Sequence, residues 1–437
     1  MEKAFKELVK TQLPFLIDSK VLLAVSGGVD SIVLVNLCHK AKLNFAIAHC
    51  NFNLRGEESD GDEEFVSQLA DNLDVEVFIE NFDTERYAAE HSRSIQMAAR
   101  DLRYEWFDEL CAAFKFDYVL TAHHANDNLE TFLINLLRGT GLEGLSGIKM
   151  EMNRIIRPLL AFSRKEIEAY ALENEIAWRE DSSNASTKYL RNKIRHEVVP
   201  LLEEINPQFL KSFTQTQAHL KENLDLVEDY ISLIYPEVVK KNQYGYELDI
   251  PFLKKIPNTR AVLYQLLKSF GFTEWDDVYN LLDAQPGKKV FSDTHRLVKD
   301  REILILTEQV GKVDDKIFRI KEDEDFVMLP MATFSLSEVK EISQTSKNSV
   351  YVAAEKLKFP LIVRKWKEGD YFHPFGMKGR KKLSDFFKDK KFSLPEKENI
   401  WLLCSGDEIV WVINHRADNR FAITSADQKI IKITCTL

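Results

Sequence analysis

No stretch of this 437-residue chain reaches the roughly 20 consecutive apolar residues that a membrane-spanning helix needs. The opening MEKAFKELVK has no apolar signal core and reads as an amphipathic helix, so the expected compartment is the cytoplasm, with no membrane partner. Cysteine is scarce: Cys38, Cys50, Cys111, Cys404 and Cys435 form no CxxC pair, and an odd set of five argues against a disulfide framework or a zinc site. Free thiols suit a reducing compartment, and Cys111, inside a helical stretch, reads as core packing. A positive balance is missing too. At a net charge of −10 the chain is not built to coat nucleic acid indiscriminately.

What the chain does have is local. Residues 188 to 195, KYLRNKIR, carry four basic side chains and no acid, with Arg191, Asn192 and Arg195 as candidate substrate contacts. Residues 364 to 391 hold ten Lys or Arg against four acids, among them Lys381 and Lys382. Two such islands on an acidic protein point to docking at chosen places.

The chain is organised around residues 21 to 31, VLLAVSGGVDS. An unbroken apolar run of strand length (21 to 25) suits a parallel strand covered on both faces. It stops at Ser26, Gly27, Gly28, Val29, Asp30 and Ser31, and a helix is expected from about Ser31 to His39. The two glycines let backbone N–H groups approach a polyphosphate, the helix aims its positive end at the same spot, and the serines add hydroxyls. Asp30 is placed to hold a cation or a cationic substrate. The lysine of a GxxxxGK[ST] loop is absent, so this is a different phosphate device. A Gly-Gly turn alone often binds nothing; two Ser, two Gly and an Asp at one junction outweigh that reading.

Strand-like FAIAHCNF (45 to 52), VEVFIEN (75 to 81) and YVLTAHH (118 to 124) alternate with helical stretches. That order predicts an α/β fold with a doubly wound parallel sheet and ligands at the carboxyl ends of its strands. His49, Asn51 and Arg55 then share the rim of the phosphate loop. The acidic run 57 to 64 reads as a solvated loop entering a helix, with no catalytic role. SIQMAARDLRYEWF (94 to 107) reads as a helix with Ile95, Ala98, Ala99, Leu102 and Trp106 toward the core and Arg100 and Arg103 beside them. In HHANDNLETF, His123, Asp127 and Glu130 fall at i, i+4 and i+7, on one face beyond a strand end. Two carboxylates there would hold Mg²⁺ or a substrate ammonium, although the same spacing also serves a metal site or a helix cap. LLRGTGLEGLSGI follows with four glycines, expected as a mobile loop closing over the site.

SGGVDS resembles the loop of the ATP-pyrophosphatase (PP-loop, adenine nucleotide alpha hydrolase-like) superfamily, which GMP, asparagine and NAD synthetases and tRNA thiolases share. The order SGGVDS, HHANDNLET, LLRGTG, RPLL, EDSSN and RNKIRHEVVP over residues 20 to 200 is similar to the tRNA(Ile)-lysidine synthetases, as is HCNFNLRG after the second strand. That resemblance implies ATP-dependent ligation of free L-lysine to the 2-carbon of the wobble cytidine of an isoleucine tRNA with a CAU anticodon. The base is adenylated first; pyrophosphate and then AMP are released. It implies ATP and Mg²⁺ as cofactors, ATP on residues 26 to 31 with His49 and His123, and Mg²⁺ on Asp30 or Asp127. It also implies Arg103 near the reacting phosphate, with Arg100 beside it, and lysine on Asp127 and Glu130. Two alternatives stay open: another PP-loop tRNA-modifying enzyme, or a non-catalytic tRNA-binding protein. Whether the chain forms a homodimer is open too.

The expected domains are a catalytic one over 1 to 204, a mainly helical tRNA-contacting one over 205 to 310, and a small basic α+β one over 345 to 437. Residues 209 to 234 read as one long helix, and 321 to 326 and 343 to 349 as linkers. The tract GDYFHPFGMKGRKKLSDFF resembles the C-terminal domain of longer lysidine synthetases. Tyr371, Phe372, Phe375, Phe386 and Phe387 interleave with its basic residues, a mixture that binds phosphate and stacks bases, although several of them must be core. The family's frequent arginine after the proline near 395 is replaced here by Glu396, Lys397 and Glu398.

Overall fold

The structure is a computed structural model that describes residues 1–180, 190–309, 316–343, 346–425 and 427–436. Most of the EDSSN motif and the start of the first basic island, Lys188 included, lie outside them. The chain divides into two compact units, Met1–Glu228 and Asp229–Leu437.

The first unit runs α1 (Glu2–Gln12), β1 (Lys20–Ala24), α2 (Val29–Lys40), β2 (Asn44–Asn51), α3 (Glu57–Leu73), β3 (Val77–Asn81), α4 (Thr84–Glu90), α5 (Ile95–Phe114), β4 (Tyr118–Leu120) and α6 (Ala125–Arg138). Then come α7 (Leu142–Leu145), β5 (Glu151–Met152), β6 (Ile155–Ile156), α8 (Arg164–Glu173), α9 (Leu190–Lys193), α10 (Val199–Ile205) and α11 (Phe209–Val238), whose last residues enter the second unit. The sheet order is β3-β2-β1-β4-β6-β5. All neighbours are parallel except the edge pair β5–β6. The chain leaves β1 toward β2 on one side and returns to β4 on the other, which makes a switch-point crevice at the carboxyl end of β1.

Val21, Leu22 and Leu23 are fully buried. Val21 and Leu23 join a core with α1, α2 and α8, while Leu22 joins Trp106, Phe107 and Leu110 of α5 on the other face. Burial on both faces is what an apolar run without alternation requires, at about 2 kcal/mol per buried Leu.

Several local expectations change. Helix α2 begins at Val29, two residues before Ser31, so Asp30 and Ser31 lie in its first turn. The acidic run is helical from Glu57, and Asp62 within it is buried. Ile95, expected in the core, is exposed because it opens the first turn of α5. The glycine tract contains the helical turn α7 and is anchored where the Ile148 N–H donates to Asn128 Oδ1 at 2.7 Å.

In the second unit the helices of the middle segment accompany a five-stranded antiparallel sheet: β7 (Val239–Asn242), β8 (Gly245–Asp249), β9 (Lys289–Phe291), β10 (His295–Asp300) and β11 (Ile303–Glu308), in the order β7-β8-β11-β10-β9. Alternation was masked by nearly continuous apolar runs such as Ile303–Leu306. The C-terminal sheets take in strands Phe318–Ile320, Phe326–Leu329 and Ala332–Val339. A boundary at 345 would cut both sheets, and 321 to 326 is a turn inside this fold rather than a linker. Phe372, Phe386 and Phe387 are core, whereas Tyr371 and Phe375 are about half exposed.

Candidate active site

At the carboxyl ends of β1, β2 and β4 the first unit opens a cleft of about 730 Å³, lined by Ser26, Gly28, Asp30, Ser31, His49, Arg55, Asp62, Arg103, His123, Asp127 and Arg191 among others. That volume lies within the roughly 300–1,000 Å³ typical of small-ligand sites.

The phosphate loop is held by its own serines. Ser31 Oγ donates to the Gly28 carbonyl at 2.9 Å and accepts from the Ser26 N–H at 3.2 Å, and Ser26 Oγ accepts from the Gly28 N–H at 3.4 Å. Gly27 has φ +92°, a conformation that needs glycine. Val29 faces the core at 3% exposure, so it serves the loop through its backbone only.

One side of the cleft is acidic. His124 caps α6 and places Nε2 3.8 Å from Asp30 Oδ1 and 3.5 Å from Asp127 Oδ2, bringing two carboxylates together across one imidazole. Asp127 also accepts the His124 N–H at 3.1 Å. Burial opposes its charge, but the His124 and His123 rings, that N–H and Arg195 outweigh it and hold its pKa below the ordinary value. Asp30 is pushed upward by burial, against the pull of His124 and Arg164, with which it is ion-paired. Its Oδ1 is buried without a hydrogen-bond partner.

Burial disfavours the charged form of His49 and His123. His49 Nδ1 lies 2.9 Å from the Val25 carbonyl, which fixes the proton on that nitrogen, and burial lowers its pKa. His123 is 2.9 Å from Thr121 Oγ1 and is pushed down to about 4 by burial, with Arg157 and Arg191 adding to the effect. Arg103 lies over the Phe52 ring at 5.2 Å, and the Cys50 thiol near it is pushed up to about 12 by burial.

Family models match residues 1–202 as a PP-loop domain, 241–309 as a TilS substrate binding domain and 361–434 as a TilS substrate C-terminal domain. A tRNA(Ile)-lysidine synthase of Parabacteroides distasonis is 43% identical over 419 residues, covering 95% of each chain. Those of Bacteroides thetaiotaomicron (39%, 95% of each chain) and Caldanaerobacter subterraneus (30%, 96% of this chain and 94% of the relative) are similar over the same length. The chain belongs to the tRNA(Ile)-lysidine synthase family.

Not every residue expected from the lysidine synthase resemblance reaches the cleft. Glu130 is 1% exposed, and Arg195 donates to both its oxygens at 2.5 and 3.0 Å. It therefore holds Arg195, which also reaches Asp127 at 3.2 Å, instead of facing a substrate. Arg191 does line the cleft, donating to Thr131 Oγ1 at 2.6 Å. Arg100 is exposed over Tyr104, and neither it nor Asn192 is part of the cleft wall. Lys381 and Lys382 belong to the second unit, where Lys381 is ion-paired with Asp389.

Two residues were missed. His124 was legible as the second His of HHAND, immediately before the α6 acid. Asp62 was legible by period: Ser59, Asp62, Val66 and Ala70 recur on the buried side of α3.

Proposed function

We propose that this protein uses ATP to adenylate the 2-oxygen of the wobble cytidine in isoleucine tRNA bearing CAU, and then joins free lysine through its ε-amine to that carbon. Lysidine, AMP and pyrophosphate result, and codon reading changes from AUG to AUA. The observation that carries this reading is similarity to lysidine synthases over 95% of both chains, with the three family models in order along the sequence.

In the first step the cytidine oxygen attacks the α-phosphorus, and the electron pair of the breaking bond leaves with pyrophosphate. The N-terminus of α2 meets that charge with the Ser26 hydroxyl beside it, while Ser31 holds the loop in shape. Arg103 serves the α-phosphate. Asp127, ionised and on the cleft wall, holds the lysine ammonium, with His124 setting its orientation. Once the ammonium nitrogen has given up a proton, its lone pair attacks the 2-carbon and AMP leaves with the electron pair of the C–O bond. Mg²⁺ would be held by Asp30, whose Oδ1 is buried without a hydrogen-bond partner, together with substrate phosphates, since Mg²⁺ commonly takes one or two carboxylates plus phosphate oxygens. When bound it would neutralise polyphosphate charge.

The deciding experiment is ATP-dependent incorporation of labelled lysine into isoleucine tRNA with CAU, using methionine tRNA as control. Incorporation into the first alone is expected; none, with pyrophosphate still released, would point to another nucleophile. Asp127→Ala should lose lysine incorporation at least 100-fold, and the normal rate in that variant would remove Asp127 from the site.

A further inference from the structure

The buried carboxylate of Asp62 has no part in the mechanism above, yet beside the phosphate loop it accepts from two arginines. Its Oδ2 accepts from Arg55 Nη2 at 2.9 Å and its Oδ1 from Arg179 Nε at 2.5 Å. Arg179 is tied to the loop a second time, its backbone N–H donating to the Gly27 carbonyl at 3.0 Å. Asp62 itself lies under Gly27: a Cβ built on that glycine would come 3.9 Å from Asp62 Oδ1. Gly61 makes room for the clamp, since a Cβ there would sit 2.8 Å from Arg179 Nη2. One carboxylate thus fixes two guanidinium groups against the loop that receives the polyphosphate.

The chemistry of the leaving group calls for such a cation. Pyrophosphate departs with several negative charges, and this loop has no lysine to meet them. Arg55 lines the cleft with its side chain 28% exposed, held at one nitrogen by Asp62 and 4.0 Å from the half-exposed Glu58 at another. A planar guanidinium locked by a buried carboxylate is suited to a phosphate oxygen pair.

We propose that Arg55 binds the departing pyrophosphate and that Asp62 and Arg179 are its positioning residues. This rests on the adenylating reading of the cleft. The test is calorimetric titration of inorganic pyrophosphate into the full chain, with the ATP and lysine KM values measured alongside. Arg55→Ala is expected to weaken pyrophosphate binding at least tenfold and to raise the KM for ATP, leaving the KM for lysine within twofold. Asp62→Asn should lose three- to tenfold in pyrophosphate affinity, because Arg55 stays but is no longer held by a charge. Arg55→Lys, at the same melting temperature as Arg55→Ala, should recover part of the affinity, which separates charge from folding. Wild-type pyrophosphate affinity in both Arg55 variants overturns the proposal, as does a wild-type chain that binds no pyrophosphate. The titration needs neither tRNA nor lysine, so the two readings fail separately. Arg55-dependent pyrophosphate binding without lysine incorporation sinks only the lysidine reading, and lysine incorporation with Arg55-independent binding sinks only this one.

Discussion

Gly27 and His123 show how single residues set the cleft's working conditions. At φ +92° a side chain on Gly27 is strained whatever the space around it. Gly27→Ala should cost about 1–3 kcal/mol at the loop and raise the KM for ATP roughly tenfold, a figure that steady-state kinetics will check. His123 is held at about 4, below its ordinary 6.5, because burial disfavours the imidazolium. Between those values the unfolded chain binds more protons than the folded one. Stability therefore falls as pH is lowered from about 6.5 to about 4, by on the order of 3 kcal/mol, and this contribution is constant above 6.5. Urea midpoints measured across that range should fall less for His123→Asn than for the wild type.

Elements decide which acid can touch substrate. Helix α6 presents Asp127 to the cleft and Glu130 away from it, and the segment from α9 through the wide π-helical turn Ile194–Val198 brings Arg195 over both. Removing Arg195 leaves a carboxylate at 1% exposure with Arg191 3.4 Å away as remaining partner. Arg195→Met should destabilise the first unit by about 3 kcal/mol. A double-mutant cycle with Glu130→Gln should show coupling of about 1 kcal/mol or more in denaturant unfolding.

For the whole molecule, the basic island of the second unit is less free than its composition suggests. Arg364 is paired with Asp370, Lys381 with Asp389, and Lys365 donates to the Glu398 carbonyl. Exposed beside Lys367, Lys378, Lys382, Lys388, Lys390 and Lys391 are Phe375 and Tyr371, with Arg380 5.5 Å from the Tyr371 ring centroid. The Tyr371→Ala/Phe375→Ala double variant is expected to raise the Kd for tRNA by about thirtyfold or more, since base stacking is worth about 1–3 kcal/mol per base. Filter binding should show this with the KM for ATP unchanged.

The sequence by itself determined the parallel α/β core, the phosphate loop and its position at a strand end. These follow from local facts: apolar runs too continuous for a one-sided strand, paired glycines, and small hydroxyls at a helix start. It also marked the acidic face of α6 and the long helix α11. Only the tertiary structure decided what those charges do. Asp127 and Glu130 are three residues apart and look equivalent, yet Arg195, 65 positions beyond Glu130, claims one fully and the other in part. Asp62 looked like one more solvated acid until Arg179, 117 residues later, closed on it. Burial and long-range pairing set the role of an ionisable group, and neither is written in the residues beside it.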